Sequence, residues 1–237
     1  RIALQAGHWR ANEAPRELRS LRNNGTRWRG TAEWEVNLEI VRRAGTMLEG
    51  MGYAVDILPA VVPPSYRAHL FISIHADGSN DPNASGYRVA SPRRDATGRA
   101  SQVAALLEQS YGEATGLTRL PTVTRRMRNH YAFNFRRYQH ALHPMTIGVI
   151  IETGFLTSST DRRVILSDPE RAARGIVEAM GVRCLPPAEA REKLTEQGMA
   201  ITPDGLRSAV DLKDADAVGT NIQWPLLFPQ LAFYFLF

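Results

Sequence analysis

Cysteine is almost missing from this sequence: Cys184 stands alone among 237 residues. A single thiol excludes an intrachain disulfide and any cysteine-rich zinc site, and it says little about the compartment. Lysine is nearly missing too. Only Lys193 and Lys213 occur, so almost all of the 29 basic residues are arginine. Genomic base composition accounts for such a bias; its functional counterpart is a preference for planar, bidentate contacts to carboxylates or phosphates. No run of about 20 apolar residues is present, so no membrane span is expected. No internal repeat is visible. The net charge of +5 would suit nucleic acid, but no nucleic-acid motif accompanies it, and none is expected as a partner. The chain opens with Arg1 directly on a strand-like run and without a starting Met, so the removal of an upstream signal segment is expected.

What is present is ordinary for a soluble globular protein, with 43% apolar and 22% charged residues. The length suits one main domain with an appendage. The paired prolines and charge of "LPPAEAREK" mark the boundary, giving residues 1–185 as the main domain and 186–237 as an appendage of unknown role. Its last residues, "WPLLFPQLAFYFLF", are apolar but too short to span a bilayer.

Along the main domain, residues 1–6 read as a buried strand and 8–30 as a long loop. From Glu33 to Met51, Leu38, Val41, Leu48 and Met51 recur at helical spacing, and Gly52 closes the helix. "YAVDIL" (53–58), "LFISI" (70–74), "GYRVA" (86–90) and "IGVII" (147–151) read as strands. A helix with Val103, Leu106, Leu107, Tyr111 and Ala114 on its buried side ends at Gly116. Residues 117–146 are irregular and rich in arginine, aromatics and histidine. "SDPE" (167–170) has the spacing of a capping box and a proline suited to a first turn, and the helix it opens should run to about Val182. Strands alternating with helices predict an α/β fold with a mostly parallel sheet.

In such sheets ligands bind just beyond the carboxyl ends of strands. Three ionisable residues sit at such ends: His8 after "IALQAG", His75 after "LFISI", and Glu152 after "IGVII". Two histidines and a carboxylate there make a zinc site plausible, because catalytic zinc takes three protein ligands and leaves a fourth position for water. "GTAEWEVNLEI" adds two carboxylates at a helix mouth, Glu33 and Glu35. The helix dipole alone favours both. They lie about 200° apart around the helix, so at most one faces the sheet end.

"ALQAGHWR", "AEWEVNL", "LFISIHADGS" and "VIIETGFLTSSTD", in this order and at these separations, resemble the zinc-dependent N-acetylmuramoyl-L-alanine amidases of the type-3 family. The resemblance covers roughly residues 1–183. It implies about six strands, mostly parallel and flanked by helices. It also implies that His8, Glu33 and His75 ligate Zn2+, with Glu33 rather than Glu35 at the ligand position, and that Glu152 is the catalytic carboxylate. The implied reaction is hydrolysis of the amide between N-acetylmuramic acid and L-alanine in peptidoglycan, outside the cytoplasm in periplasm, cell wall or medium. Any regulatory protein partner is unknown. Thr153 and Gly154 are then expected to let substrate approach.

The chain departs from the family pattern at Gln5, where an Asp is frequent, and at Trp9–Arg10, where a Gly pair is frequent. Gln5 is expected to weaken a contact behind the ligands. Residues 117–146 match least. There Arg136, Arg137 and His140 are candidate substrate contacts, set against a solvated surface with the aromatics turned inward. Two other functions fit the same residues: a zinc peptidase or deacetylase acting on another amide, and a catalytically silent wall-binding module.

Overall fold

Strands of the central sheet run in the order β4–β1–β5–β7–β6. They are β1 (Ile2–Ala6), β4 (Val55–Leu58), β5 (Leu70–Asp77), β6 (Arg88–Ala90) and β7 (Ile147–Phe155). All neighbours are parallel except β6, which runs antiparallel to β7. The structure, a computed structural model, describes residues 1–22 and 25–180; the expected boundary at 185 and the appendage 186–237 lie outside the described residues. Among the described residues the sheet has five strands rather than about six.

Both faces of the sheet are covered, which is why "LFISI" is apolar without alternation. One face carries Leu4, Ile72, Ile74 and Ile151 under α1 (Glu33–Gly50), α2 (Ala100–Thr115) and α5 (Pro169–Glu178). The other carries Ala3, Phe71 and Ile150, packed on Leu18, Met127, Tyr131, Phe133 and Leu142. The segment 117–146 therefore covers a sheet face. It holds the short helix α3 (Arg125–Arg128) and one 3-10 turn, Tyr131–Phe133. Tyr131 and Phe133 point inward, and the Phe133 ring meets Phe71 edge-on at 6.4 Å.

Local chemistry explains most element ends. Gly52 takes φ +83° just beyond α1, a backbone that glycine enters at least cost, and Tyr53 N–H returns to the Leu48 carbonyl at 3.0 Å. The cap of α5 is Asp168 rather than Ser167: its side chain accepts from Arg171 N–H, and Pro169 occupies the first turn. The helix stops at Glu178, short of Val182. Leu106, expected to be buried, is 54% exposed, because Leu107 and Tyr111 fill the buried stripe of α2. Further elements lay outside the sequence expectation, among them the hairpin β2 (Arg27–Trp28) with β3 (Thr31–Ala32), and helix α4 (Ser159–Ile165). The α4 cap is Ser158, whose Oγ accepts from Asp161 N–H.

Candidate active site

The carboxyl ends of β1, β5 and β7 and the first turn of α1 meet at one place. His8 follows β1 in a tight turn and holds φ +62°, a strained value for a residue with a Cβ. His75 ends the buried stretch of β5 and pairs in register with Glu152 on β7, so the two side chains leave the same sheet face. Glu33 enters from the start of α1. Donor atoms of His8, Glu33 and His75 all lie within 4.8 Å of one another.

Glu33 is the centre of this cluster and is buried. Its Oε1 lies 3.1 Å from His75 Nδ1 and 3.5 Å from His8 Nε2. The same oxygen accepts from Ala76 N–H and Asn37 Nδ2, both at 3.3 Å, while Oε2 accepts from Thr26 N–H at 2.9 Å. Burial would raise the Glu33 carboxyl, but the bond and charge of His75, with His8 and Thr26 adding to them, hold it below the ordinary value. Burial acts on His75 in the opposite sense; Glu33, Glu152 and Asp77 together raise it nonetheless. Glu35 is elsewhere: it turns back to accept from Ala32 N–H at 2.6 Å and serves as a cap.

Two glycines make the cluster possible. A Cβ on Gly7 would lie 2.4 Å from His75 Cε1, and one on Gly25 would lie 2.1 Å from Glu33 Oε2. Only a residue without a side chain lets these two loops close over the ring and the carboxylate.

Several polar atoms here are sealed from solvent and have no hydrogen-bond partner: His75 Nε2, Glu152 Oε2, Arg88 Nε and His130 Nδ1. Buried polar groups are ordinarily satisfied, so orphans gathered in one place mark a site built for something else. Burial lifts Glu152 to about 8; Glu33 and Asp77 push the same way, against His75 and Arg88. Arg88 stands opposite Glu152 on β6 and ion-pairs with Asp77.

The donor set fits a zinc ion. Two imidazoles and one ionised carboxylate are ligand types that zinc accepts, and the unpartnered His75 Nε2 is a lone pair or proton with nothing else to meet.

The structure does not bring the other candidates to this cluster. His140 Nδ1 lies 2.6 Å from Glu17. Its neighbours Gln139, Ala141 and His143 bond to Ser65 and Tyr66, ahead of β5, so it belongs to the amino end of the sheet. Arg137 stacks on Tyr138 beside Arg16, Glu17 and Arg19. Arg136 lines a cleft of about 640 Å³ with Arg93, Arg94 and Arg128. Thr153 does not line the site either: it is buried, its Oγ1 donates to the His75 carbonyl at 2.8 Å, and its own carbonyl accepts from Tyr111 Oη.

Gln5 does not weaken a contact to the ligands. It is fully buried, accepts from Ser73 Oγ at 2.6 Å and donates to Tyr131 Oη at 2.9 Å and the Ala60 carbonyl at 3.1 Å. Arg88 escaped sequence reasoning, although it precedes an apolar pair in an expected strand. His130 is one of the histidines of segment 117–146, any one of which could orient substrate; His140 and His143 stand closer in sequence to the strand that carries Glu152, and nothing but aromatic neighbours singles out His130.

A family model described as N-acetylmuramoyl-L-alanine amidase matches residues 61–181, just over half of the chain. No curated protein sequence matches. Among solved structures, the N-acetylmuramoyl-L-alanine amidase AmiC2 of Nostoc punctiforme is similar at a TM-score of 0.54 and 16% identity, over 75% of this chain and 93% of that one. The amidase Ami1 of Mycobacterium smegmatis gives 0.53 and 17%, over 76% and 94%. The catalytic domain of CwlV from Bacillus (Paenibacillus) polymyxa var. colistinus gives 0.51 and 17%, over 76% and 94%. These likenesses share the fold, and the family model adds the sequence pattern: the chain belongs to the N-acetylmuramoyl-L-alanine amidases, enzymes that hydrolyse the amide joining N-acetylmuramic acid to L-alanine in peptidoglycan.

Proposed function

We propose that this amidase is zinc-dependent, that His8, Glu33 and His75 hold the metal, and that Glu152 is its catalytic carboxylate. The observation that carries the reading is the pairing of His75 and Glu152 across neighbouring strands, each with a sealed polar atom that no protein group satisfies. Zinc bound there supplies a Lewis acid that polarises the carbonyl and brings the pKa of water near about 7. Glu33, fixed by Thr26, Ala76 and Asn37, keeps its charge and orients both imidazoles. Glu152 accepts a proton from the attacking water as the carbon–oxygen bond forms. It returns that proton to the alanine nitrogen as the carbon–nitrogen bond breaks. In the metal-free protein its burial raises its affinity for a proton.

Peptidoglycan lies outside the cytoplasmic membrane, so the proposed place of action is extracytoplasmic. Among the described residues no helix is long and apolar enough to cross a membrane.

Metal analysis combined with product identification tests the assignment. His75→Ala should lose the metal. Glu152→Gln should keep it and lose about 10²–10⁴-fold in turnover, the usual cost of removing a general base. A folded His75→Ala protein with one zinc per chain would overturn the ligand set, and near-normal turnover in Glu152→Gln would overturn the role of Glu152.

A further inference from the structure

His130 is fixed through its backbone and uncommitted at its side chain. Its N–H donates to the Met127 carbonyl at 3.1 Å, and its carbonyl accepts from Phe133 N–H at 3.0 Å and Asn134 Nδ2 at 3.1 Å. The next residue, Tyr131, is bonded through its hydroxyl to Gln5, Val62 and Ala60. The His130 ring is thereby placed 5.8 Å from the ring of His75, with Tyr131 at 4.8 Å and Phe133 at 5.4 Å.

In this nest of rings, bulk alone would be supplied better by phenylalanine, since an imidazole without a partner costs desolvation. Among the described residues neither ring nitrogen has a hydrogen bond or an ion pair. Nδ1 is sealed without a partner, which leaves Nε2 as the nitrogen that would meet a bound molecule. His130 is not grouped with His8, Glu33 and His75 as a ligand set.

We propose that His130 contacts substrate and that its Nε2–H donates to the carbonyl oxygen of the muramoyl amide. As water adds to the carbonyl carbon, the π electrons move onto that oxygen, and the hydrogen bond strengthens with the growing charge. No proton leaves His130. When the carbon–nitrogen bond breaks, the electrons return to re-form the carbonyl, and the nitrogen takes its proton from Glu152. The proposal rests on the amidase function given above.

The test compares zinc-loaded parent, His130→Phe and His130→Gln on a soluble muropeptide, with zinc content measured on each. Phenylalanine keeps the bulk without a donor; glutamine places an N–H at a similar reach. Loss of one such donor typically costs about 10²–10³-fold in kcat. His130→Phe should show that loss with KM changed by less than about threefold and zinc retained, and His130→Gln should recover at least about tenfold of it. Equilibrium binding of a muramoyl phosphonate, whose anionic oxygens resemble the charged carbonyl oxygen, should weaken in the phenylalanine variant far more than binding of uncleaved muropeptide in a Glu152→Gln background. Should His130→Phe fail to fold, His130→Met takes its place in the same contrast. Undiminished kcat in the variant without a donor, loss of zinc, or a glutamine variant no better than phenylalanine overturns the proposal. A zinc-loaded parent that leaves muropeptides intact overturns the amidase reading itself and this proposal with it.

Discussion

Replacing Tyr131 by phenylalanine deletes one oxygen and leaves the ring packing in place. That oxygen accepts from Val62 N–H and from Gln5 Nε2, each at 2.9 Å, and donates to the Ala60 carbonyl at 2.7 Å. The three partners do not lose equally. Gln5 Nε2 already donates to the Ala60 carbonyl at 3.1 Å, so these two groups still satisfy each other. The Val62 amide has no second acceptor, and Val62 is fully buried. The cost is thus that of one orphaned buried N–H, about 1–3 kcal/mol. In a domain of this size each kcal/mol shifts Tm by about 2–4 °C. Urea unfolding of zinc-loaded parent and variant should show a lower midpoint at unchanged slope, since the surface exposed on unfolding stays the same. Zinc content should not change, because the Tyr131 hydroxyl bonds to Gln5, Val62 and Ala60 and to none of His8, Glu33 and His75. A loss below about 0.5 kcal/mol, or a protein that sheds zinc, would refute the claim that losing this hydroxyl orphans the Val62 amide and leaves the metal ligands in place.

Gly7→Ala should lower zinc affinity far more than stability, because the new Cβ meets the far end of the His75 ring rather than backbone; zinc titration with a chelator in competition checks this, and parental affinity would refute it. The pH dependence follows from Glu152. In zinc-free protein its carboxyl is raised to about 8 from an ordinary value of 4.5. Between those values the folded chain holds a proton that the unfolded chain has released, so stability should fall as pH rises through that window. Glu152→Gln should remove this component, and chemical denaturation across pH 5–8 that showed the same slope in both proteins would count against the burial of Glu152.

The gathering of His8, His75 and Glu152 was legible because each ends an apolar run, and parallel strands bring such ends together. Choosing Glu33 over Glu35 needed the family resemblance, since helix dipole and capping favour both positions equally. The segment 117–146 left two readings open, a groove wall of arginines and a solvated surface with the aromatics turned inward. Its arginines suggested a charged wall, yet the residues that reach the sheet are Tyr131, Phe133 and Leu142, spaced without any period. An irregular stretch carries no signal of which side faces inward, so His130 and His140 could not be told apart. Gln5 misled for a related reason. A polar residue in a strand advertises a partner without naming it, and its partner Tyr131 lies 126 residues away.

Asp161 is buried completely, and its carboxylate accepts from Gly86 N–H and Phe155 N–H, both at 2.8 Å, and from Ser85 Oγ. These donors flank Glu152, the proposed catalytic carboxylate, Phe155 three residues after it and Gly86 two residues before Arg88, its partner across the sheet. Strand ends usually fray, and their amide protons exchange with solvent through small local openings. Here such an opening would strand a buried charge, which makes it costly. The active end of β7 is therefore expected to exchange on the timescale of whole-domain unfolding, leaving Glu152 on a backbone that does not breathe between turnovers.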